Sequence, residues 1–222
     1  MDREPQPEPF ADRRAAGRAL ADVLADHRDT TELLVLGLPR GGVPVAAEVA
    51  RALGAELDVL VVRKLGVPWQ PELAMGAIAS GGATVLNDEV IGYAGIGRSE
   101  VDEVAAHERE ELARRERRYR ADRPFPDVTG RTVIVVDDGI ATGSTMKVAV
   151  RALRQLGAGR VVVAVPVAPA EVLDDFLAVA DDFVCVEAPE RFHAVGSWYV
   201  DFDPTTDEEV QRLLGPGSHR AT

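Results

Sequence analysis

The stretch Val133-Ile134-Val135-Val136-Asp137-Asp138-Gly139-Ile140-Ala141-Thr142-Gly143-Ser144-Thr145 decides the fold of this chain. A β-branched run ends in two adjacent carboxylates and a small-residue loop rich in hydroxyls follows. The pattern then predicts a helix from Met146 to Leu156. Apolar β-branched runs suit a parallel strand covered on both faces. Open α/β sheets bind ligands beyond the carboxyl ends of such strands. Acids and free backbone N–H groups therefore meet at one strand end. The loop N–H groups can converge on a phosphate, and the helix N-terminus adds partial positive charge. The paired acids then face what the phosphate carries, sugar hydroxyls or a metal ion. The plainer alternative is a turn that uses Asp and Thr as helix caps, but capping needs one acid and not two.

Outward from this stretch, Leu33 to Gly37 reads as a first buried strand, followed by a glycine turn and a helix from about Val43 to Leu53 that Gly54 ends. Leu57 to Arg63 reads as a second strand, and Arg160 to Val165 and Phe183 to Val186 as later ones. Strands alternating with helices indicate a parallel sheet. Phe10 to His27 carries apolar residues at helical spacing. Met75 to Ile78 and Ala83 to Leu86 flank Gly81-Gly82 as a short hairpin. Asn87 to Ile96 fits no single state. Ser99 to Arg120 predicts a long helix, with Ser99 and Asp102 as a capping signal and opposite charges at i,i+4. It reads as a solvated helix packing one apolar edge; reaching a partner subunit or delivering an arginine to the site are the alternatives. Residues 1–9 are polar and proline-rich and expected to be disordered. A single domain is expected over 10–214, with an insertion at about 66–130 and a flexible tail at 215–222.

With 222 residues, of which 46% are hydrophobic, the chain can fill the core of one α/β domain. A net charge of −12 and no basic stripe argue against nucleic acid as a partner. An acidic protein that binds a polyanion must concentrate its cations locally, and Lys64 and Lys147 are its only two lysines. The single cysteine, Cys185, excludes an internal disulfide and reads as a buried core thiol. No apolar stretch approaches the roughly 18 residues that span a bilayer, and no signal-peptide pattern opens the chain, so we expect a cytoplasmic protein without a membrane anchor.

The Val133–Thr145 stretch resembles the phosphoribosyl-pyrophosphate (PRPP) motif of type I phosphoribosyltransferases, although Gly139 stands where that family usually has a branched aliphatic. The resemblance implies a Rossmann-like parallel-sheet α/β fold with a helical and hairpin insertion and a small C-terminal hood. It implies a Mg²⁺-dependent enzyme that moves the 5-phosphoribosyl group between PRPP and a nitrogenous base and releases pyrophosphate. Ala141, Thr142, Gly143, Ser144 and Thr145 would hold the 5′-phosphate, and Asp137 and Asp138 the ribose hydroxyls. Mg²⁺ would be held mostly by the substrate and water, with Asp137 and Asp138 as indirect metal ligands.

Three further segments look like parts of the same family. Gly37-Leu38-Pro39-Arg40-Gly41-Gly42 is similar to its pyrophosphate loop, with Arg40 as a planar donor fork, Gly41 and Gly42 admitting close backbone approach, and a non-proline cis peptide implied at Pro39–Arg40. Arg63-Lys64, read as the end of the second strand, resembles the start of the flexible lid in adenine phosphoribosyltransferases and would face pyrophosphate; a surface basic pair is the alternative. Glu190 to Phe202 resembles the base-binding segment of hypoxanthine-guanine phosphoribosyltransferases. There Phe192 would stack on a base, and Asp201 would approach the metal and pyrophosphate. Trp198 and Tyr199 read as core aromatics sooner than site residues, and His193 as structural.

Two departures bear on the substrate. Ala141 replaces the acid that enzymes of 6-oxopurines carry, and Val161 to Val165 ends without their lysine, so a 6-oxopurine is disfavoured. The acceptor base stays open. The rival readings are a non-catalytic PRPP- or nucleotide-binding regulator, and a scaffold that uses Ser99–Arg120 to dimerise. A homodimer would bury the apolar edge of that helix.

Overall fold

The computed structural model describes residues 8–121 and 123–215; most of the two expected disordered tails lies outside the described residues. In chain order the elements are α1 (Arg13–Val23), β1 (Leu33–Gly37), α2 (Gly42–Leu53), β2 (Glu56–Val59), β3 (Val62–Val67), β4 (Gln70–Ala79), β5 (Thr84–Leu86), α3 (Asp88–Ala94), α4 (Arg98–Arg120), β6 (Thr132–Val136), α5 (Ser144–Gln155), β7 (Arg160–Val167), α6 (Leu173–Leu177), β8 (Asp182–Glu187) and α7 (Asp207–Leu213). The apolar runs pair in parallel in the order β2-β1-β6-β7-β8. Two buried clusters, one on each face, cover this sheet, which is why β1 and β6 need no polar face.

Strand order positions the site. From β1 the chain moves outward to β2, whereas from β6 it moves the other way through β7 to β8. The order therefore reverses between β1 and β6, and at such a switch point the two following loops part and leave a crevice. Register places Gly37 beside Val136, so the two loops leave the sheet at the same level.

The run Leu57 to Arg63 is not one strand. β2 ends at Val59, Leu60 still donates to the Gly37 carbonyl (3.1 Å), and the chain then turns into β3 of a separate antiparallel sheet ordered β3-β4-β5. The break is held by a buried polar cluster. Arg120, 2% exposed at the end of α4, donates from Nε to Asp58 (2.7 Å), from Nη1 to Glu116 (2.8 Å), and from Nη2 to the Val59 carbonyl and Ser80 Oγ. Ser80 Oγ in turn accepts from the Val61 N–H (3.0 Å). The expected hairpin is β4 and β5, and the segment that fitted no single state is α3, capped by the Asn87 side chain and ended by Gly95.

The long helix begins one residue earlier than expected, and Gly97 is its cap instead of Ser99. The Gly97 N–H donates to the Glu100 carboxylate (2.8 Å), so Glu100 and not Asp102 supplies the capping side chain. Its exposed face carries the anticipated pairs, with Glu111 bridging Arg114 (2.7 Å) and Arg115 (2.9 Å). No helix among the described residues is long and apolar enough to cross a membrane.

Cys185 is half-buried on β8, not fully buried, and its thiol donates to the Glu187 carbonyl (3.1 Å). Burial pushes its pKa up to about 11. At pH 8 it therefore holds far less thiolate than an ordinary cysteine. We expect alkylation by iodoacetamide at least tenfold slower than for an unhindered thiol until the protein is unfolded; rapid labelling of the native protein would contradict this.

Candidate active site

At the end of β1 the chain enters the loop 38–41 through a cis peptide at Pro39–Arg40, as the resemblance implied. The loop lies directly on the acids. A Cβ on Gly41 would stand 2.0 Å from Asp138 Oδ2, and one on Gly42 would stand 2.6 Å from the Val136 carbonyl and 2.8 Å from Asp137 Cα. Only glycine lets this backbone reach the acid pair. Gly41→Ala is expected to push the loop off Asp138 and lower stability by about 1–3 kcal/mol. Thermal unfolding reads this effect, and an unchanged midpoint would mean that the loop has room.

The acids are packed differently. The Asp137 carboxylate accepts from the Asp138 N–H (2.9 Å), which closes a local turn. Burial raises its pKa well above the usual carboxylate range, and the neighbouring Asp138 charge adds to this. Burial also raises Asp138, but Arg13 opposes the shift. Arg13 Nε stands 2.8 Å from Asp138 Oδ2. Among the described residues, Arg13 is the side chain that donates to Asp138, and it does so at Oδ2. Tyr199, buried as expected, has its hydroxyl donating to the Asp138 carbonyl oxygen, so it supports the acid from beneath.

Beyond the acids, Gly139 explains its own departure from the motif. A Cβ there would stand 2.5 Å from Val195 Cγ1 and 3.0 Å from Val167 Cγ1, so the hood residue Val195 fills the space a branched side chain would take. The Ile140 N–H donates to the Val167 carbonyl (2.9 Å), which pins the loop to the end of β7. Gly143 then turns the chain at φ 72° into α5. Ala141, Thr142, Ser144 and Thr145 stay exposed, the Thr142 and Ser144 hydroxyls lie 3.4 Å apart, and no side chain caps α5. The first N–H groups of this helix face outward without side-chain partners, a ready anion site.

The other expected residues are more scattered. Arg40 is half-exposed, with Nη1 3.9 Å from Asp207 at the start of α7. Arg63 and Lys64 do not end a parallel strand; they lie on β3 opposite Ile78 and Ala77. Arg63 is held by Glu108 of α4 (2.6 Å) and Lys64 by Glu72 across the hairpin (3.3 Å). The segment expected to form a lid is a β-ribbon whose turn exposes Trp69. Phe192 is half-buried in the hood. Asp201 accepts from the Asp203 N–H (3.0 Å) and does not join Asp137 and Asp138, since no three His, Cys, Asp or Glu side chains among the described residues form a metal cluster. Two adjacent carboxylates still fit Mg²⁺. That ion keeps several waters and takes one or two carboxylates alongside substrate phosphates.

The residue missed from sequence is Arg13. It opens α1, whose cap is Asp12 (Asp12 Oδ1 to the Ala15 N–H, 2.6 Å). Two arginines and no acid occupy the first turn, where the helix dipole favours the opposite charge. That local mismatch was the available signal. A family model described as the phosphoribosyl transferase domain matches residues 10–201, spanning both strand-end loops, the acid pair and most of the hood. The chain belongs to this family.

Among phosphoribosyl transferase relatives, two Mycobacterium tuberculosis proteins, of strains CDC 1551 / Oshkosh and ATCC 25618 / H37Rv, provisionally named phosphoribosyl transferases, are each 50% identical over 205 residues. That match covers 92% of this chain and 46% of theirs, so the chain spans about half the length of these curated relatives. A ribose-phosphate pyrophosphokinase of Methanopyrus kandleri is 32% identical over 149 residues, 67% of this chain and 34% of that protein. Among solved structures, TT1426 of Thermus thermophilus superposes with a TM-score of 0.83 at 47% identity, covering 93% of this chain and 97% of that one.

Proposed function

We propose that this protein is a Mg²⁺-dependent phosphoribosyltransferase that exchanges a nitrogenous base and pyrophosphate at C1 of a 5-phosphoribosyl group. One observation carries the reading: the glycine pair of the β1 loop, the acid pair of β6 and the uncapped start of α5 lie together at the sheet's switch point. A ligand with a phosphate at one end, a ribose between and a diphosphate at the other would meet that order of donors and acids. The names of the relatives, phosphoribosyl transferase and ribose-phosphate pyrophosphokinase, point to the same ligand chemistry.

In this reading the N–H groups and hydroxyls of Ala141 to Thr145 hold the 5′-phosphate. Asp137 and Asp138 accept from the ribose 2′ and 3′ hydroxyls. In the ionised form, which Arg13 favours at Asp138 against the burial that raises the pKa of both acids, their charge favours the positive charge that develops at C1 as the bond to pyrophosphate breaks. Arg13 takes Oδ2 of Asp138, which leaves Oδ1 and the Asp137 carboxylate to meet the ligand. Mg²⁺, when bound, supplies neutralisation of pyrophosphate charge, with Asp137 and Asp138 as its protein-side oxygen donors. Arg40 and the loop N–H groups hold the leaving pyrophosphate. Arg63 and Lys64 join them only if the ribbon closes and exchanges Glu108 and Glu72 for phosphate oxygens. Closing such a ribbon excludes the water that would otherwise trap the reacting sugar. Phe192 offers the hood's aromatic face to the base.

The test is pyrophosphate release from PRPP and Mg²⁺ with a panel of purine and pyrimidine bases. Release with one base supports the enzyme. Tight PRPP binding with no release across the panel would favour the regulator, a reading consistent with Ala141 in place of an acid. We infer a cytoplasmic setting from the same ligand chemistry, and a single domain over 10–214, of which the family match covers 10–201.

A further inference from the structure

Arg13 lies outside the motif segments yet converges on their centre. Its side chain is 11% exposed and that of Asp138 16%. Three contacts from two parts of the chain fix the guanidinium: Nε donates to Asp138 Oδ2 (2.8 Å), Nη1 donates to the Asp203 carbonyl (2.7 Å), and Cζ sits 3.9 Å over the Phe202 ring. The missing Cβ of Gly41 would come within 3.3 Å of Arg13 Nε, so the pyrophosphate loop packs on the ion pair itself. The segment before α1 is tied down as well. The Phe10 N–H donates to the Trp198 carbonyl, the Val200 N–H to the Phe10 carbonyl (2.8 Å each), and the Asp201 N–H to the Ala11 carbonyl (3.0 Å). The start of helix α1 and the hood are therefore tied together, with Arg13 at their junction.

We infer that Arg13 is a positioning residue, resting on the function proposed above: it holds Oδ2 of Asp138 so that Oδ1 alone is presented to the ribose hydroxyls. A planar guanidinium meets carboxylate, carbonyl and ring together, which an ammonium does not. Binding of a ribose 5-phosphate derivative is thereby linked to the docking of α1 and the hood.

A double-mutant cycle tests this. PRPP binding is titrated for the wild type, Arg13→Gln, Asp138→Ala, which removes the acceptor of Arg13, and the double variant, with Arg13→Lys as the conservative change and circular dichroism as the check on folding. Arg13→Gln is expected to weaken PRPP binding roughly tenfold or more, Arg13→Lys to restore little of it, and the double variant to bind no worse than Asp138→Ala alone. A residue that merely supports the fold would give additive losses. PRPP binding by the wild type with additive losses, or full rescue by lysine, overturns this inference alone. No binding by the wild type overturns the proposed function, and this inference with it.

Discussion

Asp138→Asn is expected to lower pyrophosphate release by about 10²–10³-fold while leaving the fold intact. The change keeps shape and one acceptor oxygen, so Arg13 retains a hydrogen bond there as well as its contacts with the Asp203 carbonyl and Phe202. What is lost is a fixed negative charge beside C1, and preorganised charge of this kind contributes about 10²–10³ in rate. The side chain is largely desolvated, and burial already disfavours its ionised form. Neutralising it therefore removes a desolvation cost as well as an attraction, and the unfolding midpoint should move by only a few degrees. Turnover measured beside thermal unfolding separates the two effects. Unchanged turnover would remove the acids from the mechanism, whereas collapse of the fold would assign Asp138 a structural role.

Arg120→Met is the second large effect, and it acts on stability. The substitution keeps an apolar stem beside Phe125, whose ring centroid lies 5.0 Å from the guanidinium carbon, but strips Asp58 of its charge partner in a buried setting. Breaking one side of a buried pair costs about 3–5 kcal/mol. For a chain of this size that lowers the midpoint by roughly 6–20 °C. Adding Asp58→Asn should recover part of the loss, because a neutral amide still accepts from the Val59 N–H (2.6 Å in the native chain) and no longer buries a bare charge. Unfolding of both variants measures this. If the double variant is less stable than the single one, the pair is not the source of the cost.

The parallel sheet and the loop from β6 into α5 were legible in sequence because both are local. Val133 to Val136 is β-branched and apolar throughout, and the loop that follows has few ways to run from a buried strand into a helix. The tight loop after β1 was legible for the same reason, in the Gly41-Gly42 pair and its neighbours. Arg63-Lys64 was misplaced because Leu57 to Val62 is apolar apart from Asp58, and nothing local marks the crossing between sheets at Leu60 and Val61. That crossing depends on Arg120, which lies far along the chain and arrives only when α4 packs. Asp201 has the right residue type, but the hood turns it toward Asp203. Arg13 was silent because its partner is 125 positions away. Its trace was an arginine at a helix start that the dipole disfavours, an instance of local preference yielding at a site. Gly139, a departure from the motif in sequence, became intelligible once Val195 was seen in its place.

The central claim is that the β1 and β6 loops form one site for a phosphoribosyl pyrophosphate. Isothermal titration of PRPP into the wild-type protein, with and without Mg²⁺, tests it most directly. Micromolar binding that requires Mg²⁺ is the predicted result, and no heat at millimolar PRPP would contradict it.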